Sequence, residues 1–212
     1  MPSSDRTHDH AADRAGDHAA AEPAPAAAAH RTSGPWRRRS RVTAYSNAWI
    51  DVHHDEVDRP DGSPGIYGVV HFHNRAVGVV PVADDGRLLL VGQHRYALDE
   101  YSWEIPEGGV GPGESLLDGA RRELREETGF DATDWRQLCR MSVSNSVTDE
   151  TGALFLATGL RQGEAMPDVT EDLELRWATL DEVLAAIDGG EIHDLMTIAA
   201  VTLYALEVAR TR

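Results

Sequence analysis

Three glutamates near the middle of the chain stand at a spacing that could serve metal chemistry. Glu123, Glu126 and Glu127 occupy positions i, i+3 and i+4 of a segment with helical periodicity, so their carboxylates share one helix face. Like charges at this spacing repel one another, and a bound divalent cation would reverse that cost. Hard carboxylate oxygens suit Mg²⁺ or Mn²⁺. The alternative interpretation is a solvated surface helix held by salt bridges.

An arginine and a glycine-rich loop accompany these glutamates. Arg122 lies one residue before Glu123 and four before Glu126, where its guanidinium could hold a carboxylate in a fixed orientation. The loop ahead of the helix, residues 108–113, contains glycines that allow a close backbone approach to a metal or a phosphate. It is neither a P-loop, which would need a lysine that this chain lacks, nor a dinucleotide-binding fingerprint.

The spacing of these residues resembles the complete Nudix box. Gly108 is followed after five residues by Glu114, and after seven more by the run R-E-L-R-E-E-T-G-F, residues 122–130. No defining position departs from the pattern. The resemblance implies an α/β fold, an α/β/α sandwich with a mixed β-sheet, and hydrolysis of a nucleoside diphosphate linked to another group.

The same resemblance implies roles for individual residues. Glu123 and Glu127 match the main metal ligands of the family, and Glu126 matches a further ligand or a base. Glu107, which precedes the first glycine, would contribute its backbone carbonyl to the metal. The implied cofactor is Mg²⁺, for which Mn²⁺ could substitute, and its charge would neutralise phosphoryl oxygens and activate water.

The segment before the box, QHRYALDEYSWEIPEGG, is similar to the ADP-ribose pyrophosphatase and nucleoside diphosphate sugar hydrolase branch of the family. The resemblance assigns Arg95 to the diphosphate, a role that its planar fork suits, and Glu104 to an acidic position near the substrate. An ordinary surface arginine is the alternative for Arg95.

Downstream, the segment SVSNSVTDETGALFLATGL resembles the loop and strand that carry the general base in this branch. Glu150 takes the place of that base, with Glu126 or Glu127 as the alternative. Asn145 and Ser146 replace an expected Pro-Gly, which leaves the loop shape and the choice of diphosphate open.

Residues 39–75 alternate apolar and polar side chains around a Pro-Asp-Gly turn, a pattern that predicts a small antiparallel β subdomain. This subdomain resembles the one that crosses to a partner subunit in the same branch, which implies a homodimer. Trp49 could stack there on the base of the substrate, although packing in the core explains it equally well. Several histidines in this region, including His54 and His71, are interpreted as lining a solvated sheet face.

The remaining segments complete the predicted architecture. Residues 1–38 are expected to form a disordered low-complexity tail, because the first 35 residues contain no large aliphatic or aromatic side chain. Residues 76–212 are expected to form the Nudix hydrolase domain. The patterns predict the following elements: strands Ala76–Val82, Arg87–Gln93, Arg140–Val143 and Ala153–Thr158, and helices Ser115–Thr128, Leu180–Asp188 and Asp194–Arg210.

Composition restricts the partners. The chain of 212 residues has a net charge of −16, which would repel a nucleic-acid polymer. Its one cysteine cannot form an internal disulfide, and no apolar run is long enough for a membrane helix, so a cytoplasmic protein without membrane contact is expected.

The resulting hypothesis is divalent-metal-dependent hydrolysis of ADP-ribose or a related nucleoside diphosphate sugar, giving a nucleoside monophosphate and a sugar phosphate. The alternatives are a hydrolase of another nucleoside diphosphate derivative, such as a dinucleotide or a coenzyme, and a non-catalytic module that senses ADP-ribose.

Overall fold

The computed structural model describes residues 31–163 and 173–211. Residues 1–30, most of the tail predicted to be disordered, lie outside the described residues. Residues 31–38 were assigned to the same tail, yet they include the strand Arg31–Ser33 and the start of the strand Trp36–Ser46. Their polar sequence is held in strand geometry by pairing, since Arg38 aligns with Val57 of a following strand.

The N-terminal part of the described chain is an antiparallel four-stranded sheet, as the alternating sequence predicts. Its strands follow one another in chain order, and the turn after the third strand is closed by the Gly62 N–H donating to Arg59 O. The strands are β1 (Arg31–Ser33), β2 (Trp36–Ser46), β3 (Ile50–Asp58) and β4 (Pro64–Phe72).

The rest of the chain builds two further sheets. The strands are β5 (Arg75–Pro81), β6 (Leu88–Arg95), β7 (Glu100–Glu104), β8 (Glu107–Val110), β9 (Phe130–Ser142), β10 (Thr151–Gln162) and β11 (Glu174–Ala178). One sheet has the order β8-β5-β10-β9 and is mixed, because β5 and β10 run parallel while the other pairs are antiparallel. The second sheet is antiparallel, with the order β11-β6-β7.

Three helices are present among the described residues, close to their predicted bounds. They are α1 (Leu116–Thr128), α2 (Leu180–Asp188) and α3 (Leu195–Thr211). Ser115 caps the start of α1 by accepting the Asp118 N–H, and Gly129 ends it in the left-handed conformation with φ of 72°. Helix α2 begins with a complete capping box, in which Thr179 and Glu182 each accept the other's backbone N–H.

The mixed sheet lies between helices, and the alternation of side chains along β5 shows how. Val77 and Val79 point to one face, where they pack in a core with Leu124 of α1. Val80 points to the other face, into a core that includes Val201 of α3. Successive residues of a strand face opposite sides, so one apolar strand serves both cores. The α/β/α sandwich expected from the sequence is confirmed.

Three features differ from the strand predictions. Strands β9 and β10 are much longer than the predicted Arg140–Val143 and Ala153–Thr158, because their antiparallel pairing continues as far as Gln162 and Phe130. The strands on either side of the Asp85-Gly86 turn are both interior strands, as expected, but β5 and β6 lie in different sheets and share only an isolated bridge between Val82 and Leu88. Strands β7 and β8 were not predicted, because Pro106 and the glycines that follow interrupt the apolar pattern there. In the parts of the chain that the structure describes, no helix is long and apolar enough to cross a membrane.

Candidate active site

A cavity of about 270 Å³ brings together residues from distant parts of the chain. Its lining includes Trp49, Arg95, Glu107 and Glu150, all of which the sequence singled out, together with Gly108 of the box. A larger cavity of about 410 Å³ lies between the N-terminal sheet and residues 145–149, and its lining contains none of the predicted site residues. The chemistry-bearing side chains therefore favour the smaller cavity.

Strand β5 is the element that assembles this cavity. On one side it pairs with β8, where Gly78 aligns with Glu107. On the other side it pairs with β10, where Ala76 aligns with Gly152, two residues after Glu150. Strands β8 and β10 are thus both held in register by β5. Glu107, at the start of β8, and Glu150, just before β10, both reach the cavity.

The box glutamates of α1 lie against the start of β8. The Glu107 N–H donates to Glu127 Oε2 at 3.0 Å. A Cβ atom built on Gly108 would lie 2.2 Å from Cδ of Glu123, so the absence of a side chain at this glycine leaves room for that carboxylate. Residue 108 is therefore a glycine for a steric reason. The helix carboxylates also lie next to Glu107 and Gly108, which line the cavity.

Arg122 contacts the helix carboxylates, the kind of contact that the sequence predicts for it, and it also contacts the glycine-rich loop. Its Nη1 donates to Glu123 Oε1 and to Glu126 Oε2, both at 2.8 Å. Its Nε donates to Glu114 Oε1 at 3.1 Å, and its Nη2 donates to Gly109 O at 2.8 Å. The hydrogen bond with Glu114, followed by those with the other carboxylates, raises the pKa of Arg122 although burial opposes this. The guanidinium offsets the repulsion within the cluster.

Arg95 is anchored by two carboxylates at the cavity wall. Its Nε lies 3.0 Å from both oxygens of Glu104, its Nη2 also pairs with Glu104, and Nη2 donates to Glu107 Oε1 at 2.7 Å. Burial lowers the pKa of Arg95, but Glu104 and Glu107 outweigh it and raise this pKa. Glu104 is only 3% exposed and lies behind Arg95, outside the cavity lining. It holds the arginine rather than facing the cavity.

Glu107 is a carboxylic side chain that is largely buried at the cavity wall. Its Oε2 is buried and has no hydrogen-bond partner among the described residues. Burial first, and then the charges of Asp194 and Glu104, raise the pKa of Glu107 well above its ordinary value. One oxygen each of Glu104, Glu107 and Asp194 lie within 4.8 Å of one another. Asp194 was not singled out from the sequence, because its visible signal is that of a helix cap, and its Oδ2 accepts the Thr197 N–H at 2.6 Å.

The residues around Gly108 fit a hard divalent cation. The helix face supplies carboxylate oxygens from Glu123, Glu126 and Glu127, the atoms that Mg²⁺ and Mn²⁺ prefer. The buried Oε2 of Glu107, which has no hydrogen-bond partner among the described residues, offers one more oxygen close by. Only one group of three carboxylates among the described residues has its oxygens within 4.8 Å of one another, and it consists of Glu104, Glu107 and Asp194. The carboxylates of Glu123 and Glu126 instead both accept hydrogen bonds from Arg122.

Glu150 lies at the end of the loop between β9 and β10 and lines the cavity. Burial, and next the charge of Asp149, raise the pKa of Glu150. At the place where Asn145 and Ser146 replace the expected Pro-Gly, the chain turns at Ser144, whose φ is 43° and whose carbonyl accepts the N–H groups of residues 147 and 148. Trp49, which also lines the cavity, is 69% exposed. The substituted loop still brings Glu150 to the cavity.

Two family models and several known proteins match this chain. The family model described as "NUDIX domain" matches residues 72–197, and the model described as "Nucleoside diphosphate sugar hydrolase N-terminal domain" matches residues 36–70. An ADP-ribose pyrophosphatase of Bacillus subtilis (strain 168) is 32% identical over 167 residues, which cover 78% of this chain and 90% of that protein. An ADP-ribose pyrophosphatase of Mycobacterium tuberculosis is 33% identical over 165 residues, 76% of this chain and 79% of that protein.

A solved structure supports the fold. The crystal structure of an ADP compounds hydrolase superposes with a TM-score of 0.77 and 21% sequence identity, covering 85% of this chain and 98% of that one. The match extends over both the N-terminal sheet and the sandwich, so the two parts recur together in a known architecture.

Proposed function

This chain belongs to the Nudix family, and from that premise we propose that it hydrolyses the diphosphate bond of ADP-ribose or a related nucleoside diphosphate sugar. The products would be a nucleoside monophosphate and a sugar phosphate. The observation that carries the proposal is the single cavity lined by Arg95, Glu107, Gly108 and Glu150, beside the box glutamates. A cationic fork, a buried carboxylate and a metal-type carboxylate cluster are the groups that hydrolysis of a diphosphate requires.

Arg95 binds the diphosphate in this proposal. Its Nε and Nη2 are occupied by Glu104 and Glu107, whereas its Nη1 has no hydrogen-bond partner in the described parts of the chain. The arginine lines the cavity, and we propose that its Nη1 contacts a phosphoryl oxygen there. Glu104 and Glu107 hold the guanidinium in place before substrate arrives, which lowers the entropy lost on binding.

Glu150 is the proposed general base. It accepts a proton from the water that attacks phosphorus, while the bond from that phosphorus to the bridging oxygen breaks. Burial raises its pKa toward the range in which a carboxylate takes up a proton most effectively. Glu126, held by Arg122, and Glu127 remain the alternative bases on the helix.

Glu123, Glu126 and Glu127 are the proposed ligands of Mg²⁺ or Mn²⁺, together with the backbone carbonyl of Glu107. The bound metal would supply charge neutralisation at the phosphoryl oxygens and a lowered pKa for water. Arg122 contributes by fixing the orientation of two of these carboxylates, because its Nη1 contacts both Glu123 and Glu126 at 2.8 Å.

Trp49 is the proposed contact for the nucleobase. It is largely exposed and lines the same cavity, where its indole face could stack on a base. The ADP-ribose preference is supported by the two ADP-ribose pyrophosphatases to which the chain is about one-third identical.

We also propose that the protein is a homodimer that uses the N-terminal sheet. The strand register places Val42, Tyr45 and Ile66 on one face of this sheet, and each is at least half exposed. Exposed apolar side chains grouped on one face are typical of an interface. Light scattering should give twice the chain mass of 23.1 kDa, and Ile66→Glu should shift the protein toward the monomer. A monomer for the unsubstituted chain would contradict the proposal.

The proposed reaction is tested by product chromatography with ADP-ribose and Mg²⁺. AMP and ribose 5-phosphate are expected from the unsubstituted protein. Glu127→Gln removes a proposed ligand charge and should abolish turnover, while Glu174→Gln, at the exposed start of β11, is the matched control.

A panel of other nucleoside diphosphate sugars, dinucleotides and coenzymes follows the ADP-ribose assay. Turnover of one of these instead of ADP-ribose would overturn the substrate while keeping the reaction class. Binding of ADP-ribose without any turnover would overturn the enzyme proposal in favour of a sensing module.

A further inference from the structure

The loop that carries Glu150 rests on strand β4 of the N-terminal sheet. The Val70 N–H donates to Val147 O at 2.8 Å, and the Asp149 N–H donates to Val70 O at 3.2 Å. Tyr67 adds a third contact, since its hydroxyl donates to Ser146 O at 2.7 Å. These bonds connect segments that are far apart in sequence, so β4 acts as a support for the loop.

A histidine–aspartate pair adds a side-chain contact between strand β4 and the loop, next to Glu150. His71 Nδ1 lies 2.6 Å from Asp149 Oδ2, and the Phe72 N–H donates to Asp149 Oδ1 at 3.1 Å. The carboxylate can only accept when ionised, so Nδ1 of His71 donates in this bond. Both oxygens of Asp149 are therefore held by neighbouring residues of β4, which fixes the rotation of the side chain as well as its position.

The pair is separated from the cavity by a single peptide unit. Asp149 immediately precedes Glu150, and β10 begins at the next residue, Thr151. Burial opposes ionisation of Asp149, but the bonds from His71 and the Phe72 N–H outweigh it and lower the pKa of Asp149. The chain on one side of Glu150 is thus anchored to β4, and on the other side it enters the mixed sheet.

We propose that His71 is a positioning residue of the reaction: by holding Asp149 it keeps the carboxylate of Glu150 at the cavity wall. This inference rests on the proposed function, in which Glu150 is the base. The inference also assigns a function to one of the histidines of the N-terminal sheet, which the sequence analysis interpreted as lining a solvated face. His71 faces the loop, whereas His54 lies on the opposite face of the sheet, where it pairs with Glu56.

The test compares His71→Ala with His54→Ala, two identical substitutions at side chains of similar exposure, 43% and 47%, in one sheet. With ADP-ribose and saturating Mg²⁺, His71→Ala should lower kcat about tenfold with little change in KM, because a misplaced base slows proton transfer without weakening binding. His54→Ala should match the unsubstituted protein in kcat and KM; because His54 aligns with Val42 on the proposed dimer face, the two proteins are compared at equal oligomeric mass. His71→Asn should recover most of the loss, since its amide can donate from nearly the position of Nδ1.

A double substitution tests the route through Asp149. If His71 acts through this residue, His71→Ala combined with Asp149→Ala should have the same kcat as Asp149→Ala alone. Additive losses would overturn the proposed route. Melting temperature and oligomeric mass are measured for every variant, because a merely structural role would lower stability and change kcat and KM together.

Glu150→Gln separates failure of this inference from failure of the proposed function. If Glu150→Gln keeps full kcat, the base assignment is wrong and the inference falls with it. If Glu150→Gln loses activity while His71→Ala behaves like His54→Ala, the inference alone is overturned. Should no diphosphate be turned over, hydrogen exchange decides: the amides of residues 147–149 should exchange faster in His71→Ala than in His54→Ala, and equal rates would overturn the proposal.

Discussion

The carboxylate of Glu123 lies directly over the backbone of Gly108. A Cβ atom at residue 108 would be 2.2 Å from Cδ of Glu123 and 2.4 Å from its Oε1, distances at which one of the two groups must move. A motif glycine and a motif glutamate separated by fourteen intervening residues are therefore two halves of one contact.

Gly108→Ala should displace the Glu123 carboxylate and weaken the proposed metal site. We expect a rise of about 10- to 100-fold in the Mg²⁺ concentration needed for half-maximal activity, the size of effect seen when groups that orient ligands are lost. Gly111→Ala is the control, because its added Cβ would meet its nearest neighbour, Oδ1 of Asn74, at an ordinary 3.8 Å. An unchanged metal requirement in Gly108→Ala would contradict the steric argument.

Arg95→Lys should lose diphosphate binding although the charge is kept. A lysine cannot span both oxygens of Glu104 and also reach Glu107, so the fork that leaves Nη1 free is lost. We expect kcat/KM for ADP-ribose to fall about 100-fold, measured by initial rates. Arg87→Lys, at an exposed pair with Asp85, should change little. Equal values for the two variants would argue against a substrate role for Arg95.

The acid limb of the kcat/KM profile should lie above the ordinary pKa of a glutamate, about 4.3. Burial and the Asp149 charge both favour the protonated form of Glu150, and a base must be deprotonated, so activity should fall as pH drops through the raised pKa. Asp149→Asn removes one cause and should move this limb to lower pH, whereas Asp84→Asn, at an exposed turn, should not. A limb that stays in place in Asp149→Asn would contradict the contribution of the Asp149 charge to the pKa of Glu150.

Glu107→Gln should stabilise the metal-free protein at high pH. Burial, Asp194 and Glu104 raise the pKa of Glu107 in the folded state, so ionisation costs stability as pH rises above the unfolded value. The variant should therefore gain about 1 kcal/mol or more in the free energy of unfolding at about pH 8 and almost nothing at about pH 4. Urea unfolding with a chelator present measures the free energy of unfolding at both pH values. A gain in this free energy at low pH alone would contradict the burial argument.

Local signals account for what the sequence predicted well. Helix α2 matches its predicted bounds because Thr179 and Glu182 form the capping box, and α1 is delimited by Ser115 and Gly129. The position of Arg122 against Glu126, four residues later on α1, follows from helix geometry alone. Such features depend on neighbours within a few residues, which a single sequence displays.

Long-range pairing accounts for what the sequence could not predict. The burial of Glu104 behind Arg95 depends on the pairing of β6 with β7, which was not foreseen. Asp194 approaches Glu107 only after α3 has packed on β5, and its position at a helix start conceals that contact. Likewise, the link between His71 and Asp149 joins two separate parts of the fold and has no local pattern.

The parallel pairing of β5 with β10 also has a consequence for how activity appears during folding. Ala76 and Gly152 become neighbours only after the intervening chain, which contains the whole Nudix box, has been looped out. Contacts of this kind form slowly, because the loop must close before they stabilise anything. A nascent chain that has already formed α1 and its carboxylate face still lacks Glu150 at the cavity. Catalytic competence should therefore emerge together with the slowest folding phase, and refolding assays should recover helicity before turnover.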